Sequence, residues 1–153
     1  MAYQKLQVER ALKVIPSDTI NIPNVAGAST SGVANVTRTN KLVDTGATFS
    51  TNLVGYIVYN TTDNTVARVT GVDNAATLSL SANIMASGEN YVIYEDSNNG
   101  CVLQSGAAGT IRVLTAGGDD VTFSVVAGAF IPVQVVKVFS SGTMNNPNII
   151  ALW

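Results

Sequence analysis

The stretch that decides the fold is IRVLTAGGDDVTFSVVAGAFIPVQVVKVF, from Ile111 to Phe139, together with the closing IIALW at Ile149–Trp153. Its runs of Val, Ile, Thr and Phe are separated by Gly-rich turns, which is the pattern of short β-strands in a meander. The chain also closes on an apolar segment, and leaving it in water would forgo roughly 25 cal/mol for each Å² of apolar surface. We therefore expect Ile149–Trp153 to lie inside the fold or against a neighbouring subunit.

Outward from this stretch, short strand-like segments continue through most of the chain. Leu6–Val14 alternates apolar and polar residues with a period of two, and Thr19–Pro23 alternates again before a proline. A helix is the rival interpretation of the first segment, although Pro16 would cut it short. Val25–Asn35 is rich in Gly, Ser and Ala, which predicts a loop or linker. The other predicted strands are Lys41–Val43, Tyr56–Tyr59, Val66–Val72, Thr77–Leu80, Tyr91–Tyr94, Cys101–Leu103, Thr110–Thr115, Val121–Val126, Pro132–Phe139 and Asn148–Trp153.

Composition divides this pattern into blocks. From about Val36 the sequence is rich in Thr, Asn, Val and Tyr, and a cluster of turn formers at Asp96–Gly100 separates it from a Val- and Gly-rich block. Within the last block, Ile131–Phe139 is mostly apolar on both faces, which predicts a strand buried on both sides in the fold or at a subunit contact. The sequence thus predicts an all-β protein made of two small sandwich or barrel modules.

The charge content restricts the classes of partner. The chain has 8 basic and 10 acidic residues, a net charge of −2, and 12% charged against 46% hydrophobic residues. No basic stripe is present that could neutralise phosphates, so nucleic acid is not an expected partner. No apolar run reaches the roughly 18 residues of a membrane span. The N-terminal segment lacks the apolar core of a signal peptide, so we expect synthesis in a cytoplasm.

The chain carries little chemistry for catalysis. It has no histidine, so a nucleophile would depend on a Lys or carboxylate base, and no such constellation is recognisable. Gly117–Asp120 is similar to the acidic motif of polymerase palms but is better explained as a hairpin turn. Asp96, Asn98 and Gly100 are spaced like the start of a calcium loop whose closing Glu is missing. We expect no enzyme, no metal and no cofactor, and we expect the lone Cys101 to be a small buried thiol.

Two sets of side chains are candidates for contacts with other molecules. The first could form a sugar-stacking surface, because aromatic faces suit the apolar side of a pyranose ring, although filling of a core is the simpler interpretation. Its members are Tyr56, Tyr59, Tyr91 and Tyr94. The second set comes from the last strands and could form a subunit or capsid interface. Its members are Ile131, Val133, Val135, Phe139, Ile150, Leu152 and Trp153.

The flanks of the chain resemble small virion structural proteins of tailed bacteriophages, of the head decoration (cement) or fibre-base type. The segments that carry this resemblance are Ala11–Pro23, Ile111–Phe123, Phe130–Val135, Lys137-Val138 and Ile150–Trp153. Related short proteins join the two flanks almost directly, so the resemblance implies that the middle block is an inserted module. Within that block, Lys41–Phe49 and Gly55–Asn60 resemble small β-modules of phage structural proteins.

The resemblance implies a discontinuous, β-sandwich-like, virion-binding module at 1–35 and 97–153, with an inserted barrel or sandwich module at 36–96. It implies a component of the virus particle, without catalytic residues, and we expect a capsid decoration protein on the surface of the phage head. The expected partners are the major capsid protein or other virion proteins, and we expect a homotrimer because junctions in a capsid lattice are symmetric. A tail or head-fibre base protein and a carbohydrate-binding module used for adhesion remain as alternatives, and a small hydrolase is the least favoured.

Overall fold

The structure is a computed structural model that describes residues 8–145 and 147–153, apart from the side chains of Ala28 and Ser29. Regular secondary structure in these residues consists of strands and one 3-10 turn at Thr51–Leu53, which confirms the predicted all-β class. The strands are β1 (Ala11–Lys13), β2 (Asn24–Val33), β3 (Lys41–Val43), β4 (Ile57–Asn60), β5 (Thr65–Asn74), β6 (Thr77–Leu80), β7 (Asn90–Glu95), β8 (Cys101–Ser105), β9 (Gly109–Thr115), β10 (Asp120–Val125), β11 (Phe130–Val138) and β12 (Ile149–Leu152).

The chain divides into two compact units, each with its own antiparallel sheet. The discontinuous unit contains residues 8–22 and Asn98–Trp153, and the inserted unit is Pro23–Ser97. The first boundary therefore lies about a dozen residues before the expected one at 35/36, because β2 pairs with β7 of the inserted unit. The predicted strand at Leu6–Val14 is represented by β1 alone, and residues 1–7 lie outside the described residues.

The prediction of a loop at Val25–Asn35 is wrong, because β2 occupies most of this passage. Its small residues allow large side chains of the sheet to lie directly on the backbone. A Cβ at Gly32 would come within 2.7 Å of the Tyr91 hydroxyl, and one at Gly27 within 2.9 Å of the Glu95 carboxylate. The glycines that suggested a flexible linker thus make room for neighbouring side chains within a strand.

In the discontinuous unit the strand order is β1-β12-β8-β11-β9-β10. The C-terminal strand β12 is an interior strand, paired with β1 on one side and with β8 on the other. Its Ile149 and Ala151 are fully buried, which confirms that the apolar end of the chain lies inside the fold. The buried residues of this unit form one cluster: Val14, Ile22, Cys101, Leu103, Ile111, Val113, Ile131, Val135, Val138, Ile149 and Ala151.

Strand β11 is not buried on both faces as its apolar composition suggested. Ile131 and Val135 point into the core, but the pairing with β9 shifts register between Val135 and Lys137. This β-bulge inserts one extra residue, so the inward phase moves from odd to even positions and Val138 becomes the next fully buried residue. The run has apolar residues at both odd and even positions because the bulge changes which positions point inward. One face of the strand lies in the core along its whole length.

In the inserted unit the strand order is β2-β7-β4-β5-β6-β3. The two ends of this order meet just after β2, where the Asn35 N–H donates to the Val43 carbonyl at 2.9 Å and Val36 forms a bridge with Val43, so the sheet curves into a small barrel. The barrel core contains Ala34, Leu42, Phe49, Leu53, Val58, Ala67, Val69, Leu78, Leu80, Met85, Tyr91 and Ile93.

Cys101 is a buried thiol, as expected, with 1% of its surface exposed. Its Sγ donates to the Val135 carbonyl at 3.3 Å, and burial raises the pKa of the thiol to about 12. Because the thiolate is the reactive form, we expect native protein to react with a disulfide reagent only through opening of the discontinuous unit. Colorimetric thiol titration should show a slow native reaction and a fast one in denaturant, and a fast native reaction would contradict this placement.

An acidic pair with a predictable response to pH joins the turn between β4 and β5 to the segment before β7. Asp63 lies against Glu89, whose carboxylate raises the pKa of Asp63 through a hydrogen bond to the protonated acid and through charge repulsion. An acid whose pKa is raised by folding destabilises the fold once ionised, so stability falls as pH rises from 3.8 through the raised pKa. We expect Asp63→Asn to raise the melting temperature at pH 7 and to have no effect well below pH 3.8.

The matched control for this change is Asp73→Asn. A hydrogen bond from Lys41, at 2.6 Å, lowers the pKa of Asp73, so its ionised form stabilises the fold and its removal should lower the melting temperature at pH 7. Melting curves of the two variants should therefore shift in opposite directions. A downward shift for Asp63→Asn at pH 7 would contradict the proposed repulsion.

Candidate functional site

The sheet of the discontinuous unit has a second face, opposite its core, on which apolar side chains line up across four strands. The register of the strands places them in two rows. The first row runs across the sheet through Lys13, Ile150, Gln104 and Phe130, and the second runs through Ala11, Leu152 and Val102. Pro132, two residues after Phe130 on β11, is exposed with them. These eight residues are called the outer face below.

The outer face is apolar although it is open to solvent. Phe130 is 59% exposed, while Val102, Ile150 and Leu152 are half-buried by one another. Between them along the strands, Leu103, Ile131 and Ala151 point into the core, which is the alternation of a sheet with one free face. Lys13 is the single charged residue of the set, so the face can be buried against a partner with little desolvation of charge.

The seven residues expected at an interface lie in different places in the structure. Ile150 and Leu152 lie on the outer face. Ile131 and Val135 are fully buried in the core of their own unit, so the prediction that they contact another molecule is wrong. Val133 packs against the same core. Phe139 lies under the guanidinium group of Arg112, at 4.4 Å from Cζ to the ring centroid.

Trp153, the last expected interface residue, is half-buried against the core of the discontinuous unit. Its Nε1 donates to Asn98 Oδ1 at 3.1 Å, and its backbone exchanges hydrogen bonds with Arg10. The polar end of the indole and the backbone are therefore both satisfied within the unit. Trp153 thus fixes the end of β12 within its own unit.

Sequence reasoning missed Phe130, Val102 and Pro132, which are three of the six apolar residues of the outer face. The signal was the two-residue period: the neighbours of the buried residues in β8 and β11 must point to the other face. The interface was predicted at the odd positions of β11, and Ile131 and Val135 among them face the core. Nothing in the sequence of this strand distinguishes one apolar face from the other.

The four tyrosines do not form one surface. Tyr91 is 1% exposed, packs against Phe49 and donates its hydroxyl to Asp44 Oδ2 at 2.7 Å. Tyr59 is 4% exposed, and the rings of Tyr59 and Tyr94 meet edge to face with centroids 5.6 Å apart. The prediction of glycan-facing rings is therefore wrong for Tyr59 and Tyr91. Tyr94 is half-buried, and desolvation raises its pKa.

Tyr56 lies apart from the other tyrosines, in an open cleft of about 380 Å³ within the inserted unit. Its hydroxyl donates to Glu95 Oε1 at 3.1 Å, a bond that raises the pKa of the phenol. Arg68 Nη1 donates to the Gly55 carbonyl at 2.9 Å and to Asp96 Oδ2 at 2.7 Å. The cleft, called the Tyr56 cleft below, is lined by Val54, Gly55, Tyr56, Arg68, Glu95, Asp96 and Ser97.

The polar groups of the Tyr56 cleft hold one another in place. Ser97 Oγ donates to Glu95 Oε2 at 3.2 Å and accepts from Asn24 Nδ2 at 3.1 Å, so both oxygens of Glu95 are engaged. Arg68 and Asp96 line the same cleft as Tyr56, and each carries a further polar atom, Nη2 and Oδ1, for which no hydrogen bond is seen among the described residues.

The two acidic motifs have structural roles. Gly117–Asp120 forms the turn of the β9–β10 hairpin, with Gly118 at φ +94°, and Asp120 pairs with Arg112 at 2.6 and 2.9 Å. Asp96 pairs with Arg68 in the Tyr56 cleft. Among the residues that the structure describes, no group of three or more His, Cys, Asp or Glu side chains is placed to hold a metal ion.

The chain matches no protein family, no curated protein and no solved structure. In residues 8–145 and 147–153, no helix is long and apolar enough to cross a membrane. The outer face and the Tyr56 cleft are therefore interpreted from their own geometry.

Proposed function

We propose that this chain is a structural protein of a bacteriophage particle, most directly a capsid decoration (cement) protein that binds the outside of the head at junctions between capsid subunits. The observation that carries the proposal is the outer face, a mostly apolar surface with one charged residue, Lys13, built on four hydrogen-bonded strands. The resemblance of the two flanks to phage virion proteins supports the same interpretation. The partner is then the major capsid protein, and the location is the surface of the phage head.

Such a protein acts by mass action. It binds the assembled lattice and not the separated subunits, so each bound copy lowers the free energy of the shell by an amount set by its concentration relative to its dissociation constant. The contributions add over many equivalent sites. A rigid binding face favours this mechanism, because little side-chain or backbone freedom is lost when the face is covered.

The outer face is tested by Phe130→Asp. Burial of a phenylalanine is worth about 1.5–3 kcal/mol, so we expect this variant to bind particles that lack the protein about 10- to 100-fold more weakly than the unmodified chain. The change leaves the core untouched, because Phe130 is 59% exposed. Co-sedimentation with particles over a range of concentrations measures the effect.

The matched control is Val33→Asp, which places the same charge on a 47% exposed valine of β2 in the inserted unit. It should bind particles like the unmodified chain. Equal binding by Phe130→Asp and Val33→Asp would show that the outer face is not the docking surface.

A second candidate function is binding of a glycan by the inserted unit, and the Tyr56 cleft is the observation that favours it. An aromatic ring that shares a cleft with an Arg68–Asp96 ion pair suits a sugar, whose hydroxyls can bond to the second nitrogen and second oxygen of that pair and whose ring needs an apolar face. This function would serve adhesion of the particle or of the free protein, and it uses a surface separate from the outer face.

A glycan array screened with the unmodified chain tests this candidate, followed by calorimetric titration of any ligand found. We expect Tyr56→Ala to abolish binding and Tyr56→Phe, which keeps the ring, to retain most of it. Tyr94→Phe serves as a control, since Tyr94 lies outside the cleft. An array without ligands, or a ligand bound equally by Tyr56→Ala, would exclude the cleft as a glycan site.

A further inference from the structure

The two sheets differ in how their edges are protected. The barrel of the inserted unit closes through Asn35, Val36 and Val43. The sheet of the discontinuous unit ends at β1 on one side and β10 on the other. Strand β1 has three residues and carries Lys13, with Arg10 directly before it, and a short, positively charged edge resists pairing with other strands.

Strand β10 has none of this protection. It pairs with β9 over six consecutive residues without a bulge, and its sequence DVTFSV contains no Lys, Arg or Pro. Its one charge, Asp120, is neutralised by the two hydrogen bonds from Arg112, which lower the pKa of the carboxyl. Val121 is 36% exposed, and Thr122 and Ser124 are exposed beside it. A regular strand of this composition is a template for another strand.

Backbone geometry identifies the groups that point outward from β10. The Thr115 N–H donates to the Asp119 carbonyl at 2.9 Å, so the odd-numbered residues of β10 direct their backbone groups toward β9. In an antiparallel pair the alternate residues point the other way. The N–H and C=O groups of Asp120, Thr122 and Ser124 therefore face away from the sheet, and no backbone hydrogen bond from the described residues reaches them.

We infer that β10 pairs with β10 of a second copy of this chain, antiparallel and centred on Thr122. The three outward-facing residues are symmetric about that position, so a twofold axis through it brings Thr122 opposite Thr122 and Asp120 opposite Ser124. About six backbone hydrogen bonds then form, two for each of the three pairs. The two sheets become one continuous sheet.

The side chains favour this partner over an unrelated strand. Antiparallel pairing about Thr122 places Val121 opposite Phe123 of the partner strand, which joins two apolar side chains on one face. On the other face, Thr122 meets its own copy, and threonine pairs are favourable across strands. Asp120 meets an uncharged serine, so no like charges are opposed. The same surface patch on both subunits makes the contact isologous and closed.

This contact is independent of the proposed function, and it gives a dimer where the symmetry of a capsid lattice led us to expect a trimer. Native mass spectrometry and sedimentation over a concentration series decide between them. We expect the unmodified chain to form a dimer that dissociates on dilution. A monomer at all concentrations, or a trimer, would overturn the inference.

The decisive variant is Thr122→Pro. Proline at 122 removes an N–H that points away from β9, so the pairing within the unit keeps all its hydrogen bonds while the outward edge is blocked. We expect the dissociation constant of the dimer to rise at least tenfold. Thr122→Val keeps the N–H and is the control, which should remain dimeric. An unchanged dimer in Thr122→Pro would overturn the inference.

Folding is monitored in the same samples through the slow reaction of the Cys101 thiol, which reports on the discontinuous unit. If Thr122→Pro loses this protection, Thr122→Glu replaces it as the test, because the twofold axis places the two introduced carboxylates opposite each other and like charges directly opposite are destabilising. We expect Thr122→Glu to be monomeric and to keep Cys101 protected. A protected Thr122→Glu protein that remains a dimer would overturn the inference.

Discussion

Deletion of Ile149–Trp153 is expected to unfold the discontinuous unit and to leave the inserted unit folded. Strand β12 lies between β1 and β8, so its loss removes two ladders of hydrogen bonds and the side chains of Ile149 and Ala151 from the core. The loss approaches the whole stability of a small domain, which is about 5–15 kcal/mol. The inserted unit keeps its closed barrel and its own core.

Limited proteolysis with mass spectrometry measures this result. We expect cleavage throughout the discontinuous unit and a resistant fragment close to Pro23–Ser97. The control is Ile150→Ser, which changes a half-buried residue of the outer face and keeps the strand, so it should resist proteolysis like the unmodified chain. A truncated protein that protects Cys101 as well as the full chain does would show that β12 is dispensable.

Tyr91→Ala is expected to destabilise the inserted unit by about 3–5 kcal/mol, in the range for truncation of a large buried aromatic residue. The ring is 1% exposed, contacts Phe49 and fills the space above Gly32. Tyr91→Phe keeps the ring but loses the hydrogen bond to Asp44, so we expect a smaller loss, of about 1.5–3 kcal/mol for a bond to a charged group. Urea unfolding of the purified variants gives both values.

Tyr56→Ala is the matched comparison, because Tyr56 is only half-buried, packs against the core from outside and lines an open cleft. Its effect on the midpoint of urea unfolding should be well below that of Tyr91→Ala. If Tyr91→Ala unfolded at the same urea concentration as the unmodified chain, the placement of this ring in the barrel core would be wrong.

The sequence was sufficient for the all-β class and for the burial of the chain's apolar end, because both depend on composition and on the period of two. It was insufficient for β2, where the reason for the small residues lies in the side chains of Tyr91 and Glu95, far away in the chain. Such long-range contacts leave no mark in the local pattern. The boundary between the two units shifted for the same reason.

The candidate sites show the same limit at the level of single residues. Apolar residues of both parities in β11 suggested burial on two faces, whereas a bulge changes the phase of the strand after Val135. The four tyrosines come from two neighbouring stretches of sequence, yet Tyr59 and Tyr91 are buried whereas Tyr56 lines an open cleft. Which of several similar side chains reaches the surface depends on packing, and packing depends on pairs that the sequence alone does not specify.

The proposed function requires that a bacteriophage encodes this chain. Its most direct test is the number of copies of the chain in purified particles of that phage, quantified by mass spectrometry against the major capsid protein. The proposal predicts many copies per particle, at a fixed ratio to the major capsid protein. It also predicts that particles made without the gene lack the protein and have less stable heads. A few copies per particle would place the chain in the tail or at a fibre base. Absence from the particle would contradict the account and favour the glycan-binding function of the Tyr56 cleft.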